Sequence, residues 1–368
     1  MNSPNTNKVI FSNSYLQSID GIDYLNLRED NYYKTGLAYG TLLIKSENKL
    51  IFFFKNFISK IIFSIFYFLK NKELHTINVP QKYQEELKGI SESTGIKYEH
   101  LLLVNLYYEM GCSGFIFFNP NGSLLVGHNT DTMKLLANFL LKKSNPLVVS
   151  ISIPSKNTFT TVSLPGFIGV ANGFNNNGIA ISSHDVGNLY WKKVPDNTSA
   201  SCVLRMILEN ANNLDDVMGI AKDNPAYYPG LMIIASEKEN KSGILELYPT
   251  DFNFTLTSKQ NYTYTANHYH SEKMKKYHKE IELGSVKRYE FLSKILSTET
   301  VLDVGKAITI LKDTTHGIKR SNPAGYSVAN DWTFQSFVFD VGKGEVYISN
   351  GRKPPVSLHG GFVKITTK

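Results

Sequence analysis

Hydrophobic and polar positions follow two periods along this chain, and the period changes from block to block. Apolar residues three or four positions apart predict helices over residues 50–72, 80–94, 96–110, 201–222 and 285–311. Short apolar runs bounded by Gly or Asn predict strands over residues 123–128, 147–153, 166–171, 178–183, 230–236, 243–248, 262–266, 334–340 and 344–350. Blocks of strands set among blocks of helices are typical of an α+β fold, in which helices cover antiparallel sheets.

One predicted hairpin gathers candidate catalytic residues at its open end. Cys112 begins an apolar run, an Asn-Pro-Asn-Gly turn follows, and a second apolar run leads to His128 and Asp131. Because the turn supplies the positive-φ positions of a tight connection, the two ends of the hairpin should lie together. A thiol, an imidazole and a carboxylate at one end of a sheet form a candidate nucleophile site. The alternative is an inert cysteine that packs as a small apolar side chain.

The composition is that of a globular protein and argues against several other classes. The 368 residues are 42% hydrophobic and 12% aromatic, which is ample for a large core. Two cysteines do not make a disulfide scaffold, and no group of Cys and His has zinc spacing. His268 and His270 are neighbours in sequence but have no further ligand at motif spacing. We therefore expect neither a metal nor another cofactor.

The net charge of +7 is compatible with an acidic partner. Basic residues are concentrated in residues 270–288. This segment is either a patch for anionic lipid headgroups or a solvated helix with interspersed glutamates. Because no nucleic-acid-binding module accompanies the charge, we expect no nucleic-acid partner.

The run from Leu50 to Lys72 is intensely apolar and carries a narrow polar stripe. The stripe consists of residues three or four positions apart, namely Lys55, Asn56, Ser59, Lys60 and Ser64. Two central lysines disfavour a spanning helix, since each costs roughly 2.5–3.5 kcal/mol there. Three alternatives stay open, which are an interfacial helix making a peripheral membrane contact, a buried core helix and a transmembrane anchor. The first residues lack the pattern of a secretory signal, so we expect a soluble or peripherally membrane-associated protein.

Several motifs lie in a fixed order around the hairpin. They are residues 80–112, 127–131 (GHNTD), 164–185 (LPGFIGVANGFNNNGIAISSHD), 264–270 (YTANHYH), 285–296 (SVKRYEFLSKIL) and 334–354 (FQSFVFDVGKGEVYISNGRKP). Together they resemble the cysteine-type N-terminal-nucleophile hydrolases, which include penicillin acyltransferases, bile salt hydrolases, penicillin V acylases and acid ceramidase-like amidases. The likeness is greatest to the penicillin acyltransferase-like group (peptidase C45-type) and covers residues 80–360. It implies a four-layer αββα sandwich with antiparallel sheets.

The resemblance implies that the chain cuts itself between Gly111 and Cys112. Residues 1–111 would form a propeptide-like helical segment and residues 112–368 the catalytic domain, with the two fragments staying associated. The new α-amine of Cys112, with a reference pKa of about 7.7–8.0, would accept the proton of the thiol. The thiolate would attack a linear amide of an N-acylated, lipid-like substrate and form an acyl-thioester, which makes the protein a hydrolase or an acyltransferase.

The resemblance also implies roles for three polar residues. Asn267 would donate to the oxyanion, Asp131 would orient the α-ammonium group, and Arg288 would steady the surroundings of the cysteine by charge-assisted hydrogen bonds. Two alternatives remain from the residues alone. Asp131 could cap a helix beginning near Thr132, and Arg288 could be a surface residue of its helix.

Three supporting positions complete the candidate site. His184 or Asp185 falls where related hydrolases place a further polar residue, and His128 stands where many members have arginine. The phospholipase B-like branch of the superfamily has His-Asn-Thr at that position, which makes a phospholipase B-like esterase the alternative within the fold. A lipid-surface binding protein without catalysis is the alternative from a different functional class.

Overall fold

The computed structural model of the protein describes residues 7–106, 111–190, 192–257, 261–319 and 327–367. Their helices are α1 Tyr32–Lys45, α2 Lys49–Lys55, α3 Phe57–Leu74, α4 Gln81–Thr94, α5 Tyr98–Leu106, α6 Lys134–Lys143, α7 Ala200–Asn210, α8 Leu214–Asp223, α9 Glu272–Lys275, α10 Leu283–Ser297 and α11 Val304–Leu311. Their strands are β1 Asn7–Phe11, β2 Ser14–Ile19, β3 Ile22–Arg28, β4 Gly111–Phe118, β5 Leu124–Asp131, β6 Leu147–Ser152, β7 Phe159–Ser163, β8 Asn172–Asn175, β9 Ile179–His184, β10 Gly230–Ser236, β11 Lys241–Tyr248, β12 Asp251–Leu256, β13 Tyr262–Thr265, β14 Thr333–Asp340, β15 Glu345–Ser349 and β16 Phe362–Thr366.

These strands form two sheets. The larger sheet has ten strands in the order β1-β2-β3-β6-β7-β8-β9-β10-β11-β12, and the smaller has six in the order β13-β4-β5-β14-β15-β16. The described strand pairs are antiparallel apart from β3 and β6, which are parallel. The long connection that a parallel pair needs is supplied by residues 29–146, which include helices α1–α6 and the β4–β5 hairpin.

Alternation of side chains along each strand builds a core on both faces of the smaller sheet. On β4, Ile116 and Phe118 face the larger sheet and pack with residues such as Val148. The intervening Phe115 and Phe117 face α10 and α11. The outer face of the larger sheet packs against α1, α4, α5 and α7. The layers are therefore helix, sheet, sheet and helix, and the predicted α+β αββα sandwich is confirmed.

The N-terminal segment, predicted to be helical over residues 1–111, also contains strands. Strands β1–β3 are the first three strands at one edge of the larger sheet. The prediction that this segment is helical is therefore wrong for these residues. The sequence contains a signal for the β2–β3 hairpin, because Asp-Gly is a dipeptide typical of tight hairpin turns. In the structure Asp20 and Gly21 join β2 to β3 with φ values of 46° and 80°. The helices of the segment pack closely, and a Cβ on Gly36 of α1 would fall 2.0 Å from the Glu86 carbonyl oxygen of α4.

Two predicted helices are each divided in two. Residues 201–222 form α7 and α8, because the Asn213 side chain accepts a backbone N–H and starts the second helix. Residues 285–311 form α10 and α11, and the Asp303 side chain starts α11 in the same way. Asn and Asp at these positions favour caps because their side chains compete for backbone donors.

One predicted strand is a loop. In residues 166–171, the Gly166 carbonyl accepts a hydrogen bond from Asn105 Nδ2, and the Gly166 N–H donates to Tyr39 Oη. These bonds to side chains take the place of the backbone hydrogen bonds that a strand would form with a neighbouring strand. The strand of this region is instead β8, which follows directly. The last four residues of the helix predicted over 96–110 lie outside the described residues.

The apolar run from Leu50 to Lys72 forms two helices and not one. Asn56 separates α2 from α3, and its side chain accepts the N–H of Ile58. The polar stripe points partly into the protein, since Ser59 is buried and Ser64 Oγ hydrogen-bonds His100 Nε2 at 3.2 Å. The outward face of α3 is apolar instead.

The exposed apolar side chains of α3 define its outward face. They are Phe57, Ile58, Ile61, Ile62, Ile65, Phe66, Phe68 and Leu69. In the described part of the chain, no single helix is both long and apolar enough to cross a membrane. The pair Lys49–Lys55 and Phe57–Lys70 meets the length and composition conditions together, with a 70° bend between them.

Candidate active site

Cys112 lies at the open end of the β4–β5 hairpin. The register sets Gly111 opposite Asp131 and Cys112 opposite Thr130. The predicted turn closes the other end, where Gly122 has φ +82°, a conformation that glycine adopts without strain. The local sequence therefore brings the cysteine and the aspartate together.

The Cys112 side chain points toward the larger sheet and is only 2% exposed. Its Sγ donates to the Ser183 carbonyl oxygen of β9 at 3.4 Å. Burial, and next the negative charge of Asp185, raise the pKa of the Cys112 thiol well above its ordinary value. Because the thiolate is the nucleophile, this cysteine needs a base to remove its proton.

Asn267 follows β13, and its side-chain amide has a single satisfactory orientation. Oδ1 accepts from the Cys112 N–H at 3.2 Å and from Arg288 Nη2 at 3.0 Å. Nδ2 donates to the Asp185 carbonyl oxygen at 2.9 Å and lies 3.7 Å from Cys112 Sγ. A flipped amide would set donor against donor and acceptor against acceptor. The site thus presents an N–H donor beside the sulfur.

Arg288 of α10 is fully buried and joins the parts of the site. Its Nη1 donates to the Cys112 carbonyl oxygen at 2.7 Å and to Ser113 Oγ at 3.0 Å. Its Nη2 donates to Asn267 Oδ1, and its Nε donates to the Gly284 carbonyl oxygen at 3.1 Å. The alternative of a surface helix residue is therefore wrong.

Asp131 is fully buried at the end of β5. Its Oδ1 accepts from Thr333 Oγ1 at 2.6 Å, its Oδ2 accepts from Asn330 Nδ2 at 2.9 Å, and Arg288 Nη1 is 3.9 Å from Oδ2. The helix-cap alternative is wrong, because Met133 precedes the first residue of α6. No local sequence pattern points to Thr333 and Asn330 as partners of Asp131, since they lie about 200 positions later.

His128 and His184 lie between the two sheets, as the Cys112 side chain does. His128 is two residue pairs further from the open end of the hairpin than Cys112. His128 stands opposite Gly114 in the hairpin, and its Nδ1 hydrogen-bonds Ser182 Oγ at 2.8 Å. Ser182 Oγ is also 3.1 Å from His184 Nε2, so one hydroxyl joins the two rings. Gly114 leaves the necessary room, because a Cβ there would fall 2.6 Å from Ser182 Oγ. The two histidines therefore link β5 to β9 below the site, and Asp185 contributes its carbonyl oxygen above it.

Buried histidines should make the folded chain sensitive to acid. Burial lowers the pKa of His128 to about 3 and that of His268 to about 3, against about 6.5 in an unfolded chain. Above pH 6.5 both are neutral in both states, whereas between pH 6.5 and 3 only the unfolded chain gains their protons. We expect each to remove about 2 kcal/mol of unfolding free energy at pH 5.

Urea unfolding at pH 7 and pH 5 measures this loss. His128→Gln, which has no titrating ring, should lose less stability between the two pH values than the wild type. An equal loss in both proteins would show that His128 does not stay neutral in the folded chain.

The grouped side chains offer a thiol, an amide donor, a guanidinium and a carboxylate at one end of the two sheets. Together they can attack a carbonyl carbon and stabilise the charge that develops on its oxygen. Among the described residues, no group of three or more His, Cys, Asp and Glu side chains could hold a metal ion.

Comparison with protein families matches residues 117–353 to the family described as acyl-coenzyme A:6-aminopenicillanic acid acyl-transferase. The chain belongs to this family. The resemblance to the penicillin acyltransferase-like group is thereby confirmed. The match to this acyl-transferase family begins just after Cys112, and it includes Asp131, Asn267 and Arg288.

Two relatives of this acyl-transferase family member share about a quarter of the aligned residues with it. Acid ceramidase from Bos taurus is 24% identical over 190 residues, which are 46% of this chain and 48% of the ceramidase. An uncharacterized protein from Archaeoglobus fulgidus is 23% identical over 278 residues, which are 62% of this chain and 46% of that protein. The chain spans about half the length of the curated relatives that it matches.

Solved structures that are similar to this chain include two hydrolases. The Caenorhabditis elegans ortholog of N-acylethanolamine-hydrolyzing acid amidase has a TM-score of 0.44 at 15% identity, covering 63% of this chain and 93% of that one. A mutant conjugated bile acid hydrolase from Clostridium perfringens has a TM-score of 0.42 at 11% identity, covering 70% of this chain and 92% of that one.

Proposed function

We propose that this acyl-transferase family member is a self-processing cysteine hydrolase or acyltransferase that acts on linear amides, with Cys112 as the nucleophile. The observation that carries the proposal is the fixed Asn267 amide, whose Nδ2 lies 3.7 Å from Cys112 Sγ. An oxyanion on a carbonyl attacked by Sγ needs a donor at this place, and one such donor contributes roughly 10²–10³ in kcat.

Maturation would use the same groups. Cys112 Sγ attacks the Gly111 carbonyl carbon, the peptide C–N bond breaks, and the Gly111 acyl group moves to sulfur while a proton passes to the new α-amine. Water then hydrolyses the thioester, which frees the Gly111 carboxylate and the thiol. The α-amine becomes the base that the buried thiol needs. Asp131, opposite Gly111 in the hairpin, would orient it.

Turnover would repeat this chemistry on an external amide. The α-amine takes the thiol proton, the thiolate attacks the substrate carbonyl, and the tetrahedral oxyanion is held by Asn267 Nδ2. Collapse expels the amine, which takes the proton back from the α-ammonium group, and leaves an acyl-thioester on Cys112. Water gives hydrolysis, and a second amine gives acyl transfer.

The fragments 1–111 and 112–368 should stay associated after cleavage. Strand β3 of the first pairs with β6 of the second over six residue pairs. In the helical layer, Arg205 Nη2 of α7 donates to Glu86 Oε2 of α4 at 2.6 Å, and both side chains are fully buried. Separating a buried pair leaves an uncompensated charge, which costs about 3–5 kcal/mol.

A lipid-like substrate is supported by the apolar surface near the site. The outward face of α3 is far more apolar than a soluble monomer normally leaves exposed. The start of α6, just after Asp131, adds exposed Met133, Leu135 and Leu136. Phe53 of α2 packs on Phe139 of α6 with ring centroids 4.8 Å apart, so the two surfaces are neighbours. We propose that they make a peripheral membrane contact that supplies acyl chains to Cys112.

Charged substitutions on α2 and α3 test this contact. Ile62→Glu combined with Leu69→Glu should weaken binding to vesicles containing anionic lipid by at least about tenfold. The double change Lys55→Glu with Lys60→Glu should act in the same direction, since it removes attraction to anionic headgroups. In both variants, turnover of long-chain amides should fall while that of short, soluble amides is unchanged.

The matched control is Ile10→Glu, which changes an exposed isoleucine on β1. It should bind vesicles as the wild type does. Equal losses on long and short substrates, with vesicle binding intact, would mean that α3 serves the core and not a membrane.

A substrate panel tests the proposed function. It contains N-acyl amino acids, N-acylethanolamines, ceramide, penicillin V and phospholipids, with Cys112→Ala protein as the blank. Cysteine-dependent amide turnover supports the proposal. Turnover of phospholipid esters alone would favour a phospholipase B-like esterase, the candidate that His128-Asn129-Thr130 supports. Vesicle binding without any turnover would make the protein a lipid-surface binder.

A further inference from the structure

Helix α10 holds Asn267 at two points, and only one of them involves Arg288. Ser285, in the first turn of α10, accepts the backbone N–H of Asn267 at 2.7 Å through its Oγ. Arg288 lies three positions later on the same face of the helix and donates to Asn267 Oδ1 at 3.0 Å. One helix therefore fixes both the backbone and the side chain of this asparagine.

The backbone of Asn267 needs this support because the strand ladder ends before it. Pairing of β13 with β4 stops at Thr265 opposite Gly114. Ser285 is fully buried and Asn267 is 8% exposed, so water is a poor substitute for the hydroxyl as an acceptor.

His268 in turn orients the Ser285 hydroxyl. Its Nδ1 is 2.7 Å from Ser285 Oγ. Because Oγ already accepts from the Asn267 N–H, its own proton can point at Nδ1 of a neutral imidazole. The ring is held by edge contacts with His270 and Tyr289, at centroid distances of 4.7 and 5.4 Å.

We propose that Ser285, oriented by His268, is a positioning residue that holds the Asn267 amide beside the Cys112 sulfur. This inference rests on the proposed function, in which Asn267 donates to the oxyanion. Without the hydroxyl, the buried Asn267 N–H loses its acceptor and the donor shifts from its place. A displacement near 1 Å is enough to reduce turnover by about 10²-fold.

The test compares amide turnover of Ser285→Ala, Ser285→Thr and His268→Phe with the wild type. Ser285→Ala should lower kcat by about 10- to 100-fold while KM changes by less than about twofold, since the ground state does not use the oxyanion donor. Ser285→Thr keeps the hydroxyl and should restore most of the loss. The control is Ser297→Ala at the exposed end of the same helix, where Ser297 Oγ donates to the Lys294 carbonyl oxygen.

The outcomes distinguish failure of the positioning role of Ser285 from failure of the proposed function. If the wild type turns over an amide and Ser285→Ala is as active as Ser297→Ala, this inference alone is overturned. The same holds if Ser285→Thr is no more active than Ser285→Ala. Failure of the wild type to turn over any amide would overturn the proposed function and this inference with it. If Ser285→Ala does not fold, His268→Phe, which keeps the serine, must show the same loss in kcat with KM unchanged.

Discussion

The Cys112→Ala variant should remain a single chain of 41.4 kDa and lose amide turnover. Alanine cannot attack the Gly111 carbonyl, so neither the thioester nor the free α-amine forms. Loss of the nucleophile in a hydrolase of this kind costs about 10⁶-fold in kcat. Gel electrophoresis measures the first effect, and release of the amine product measures the second.

The matched control is Cys202→Ala. Cys202 is also buried, but it lies on α7 and packs in the helical layer. This variant should mature and turn over substrate as the wild type does. A Cys112→Ala protein that still splits after Gly111 would show that maturation does not depend on this thiol.

Replacing Arg288 with methionine should lower both stability and activity. The change removes the guanidinium that joins the Cys112 carbonyl, Ser113 and Asn267, and it leaves these buried acceptors with one donor fewer. Loss of one member of a buried charged group costs about 3–5 kcal/mol of unfolding free energy. With Asn267 no longer fixed, kcat should fall by about 10²-fold or more. Urea unfolding and steady-state kinetics measure the two effects.

Lys287→Met provides the comparison, since Lys287 is the partly exposed neighbour of Arg288 and pairs with Glu290 at 2.8 Å. Its effect on unfolding should stay below about 0.5 kcal/mol. Arg288→Lys should not rescue, because one ammonium group cannot reproduce the fork of donors. Similar losses in Lys287→Met and Arg288→Met would remove Arg288 from the site.

The hairpin that carries Cys112 could be predicted because its turn sets the register locally. Residues 119–122 provide the positive-φ turn, and the register that follows sets Gly111 against Asp131. The depth of His128 was harder to foresee. Residues two positions apart on a strand point to the same face, so His128 lies on the same face of the smaller sheet as Cys112. It is, however, two residue pairs further from the open end of the hairpin, between the two sheets.

Ser285 could not be found from the sequence. A serine at the start of a predicted helix normally indicates an N-cap, yet α10 begins at Leu283, which turns the Ser285 hydroxyl inward. Its partner Asn267 was implied by family resemblance alone. The pairing of β13 with β4 that brings Asn267 to the cysteine joins residues about 150 positions apart.

The apolar helix shows a second limit of sequence reasoning. Periodicity correctly groups Ser59 with the polar stripe, but it does not say which side of a helix faces the core. In the structure the stripe turns Ser59 inward, and apolar side chains such as Phe68 face outward. Only the neighbouring elements, among them His100 of α5, decide the direction.

Intact-mass spectrometry of the wild-type protein, quenched in acid during turnover of a slow N-acyl amide, tests the central claim most directly. The account predicts two fragments, residues 1–111 unmodified and residues 112–368 carrying one acyl group on the sulfur of an N-terminal Cys112. An active chain that is still uncut at Gly111–Cys112, or an acyl group on any other residue, would contradict it.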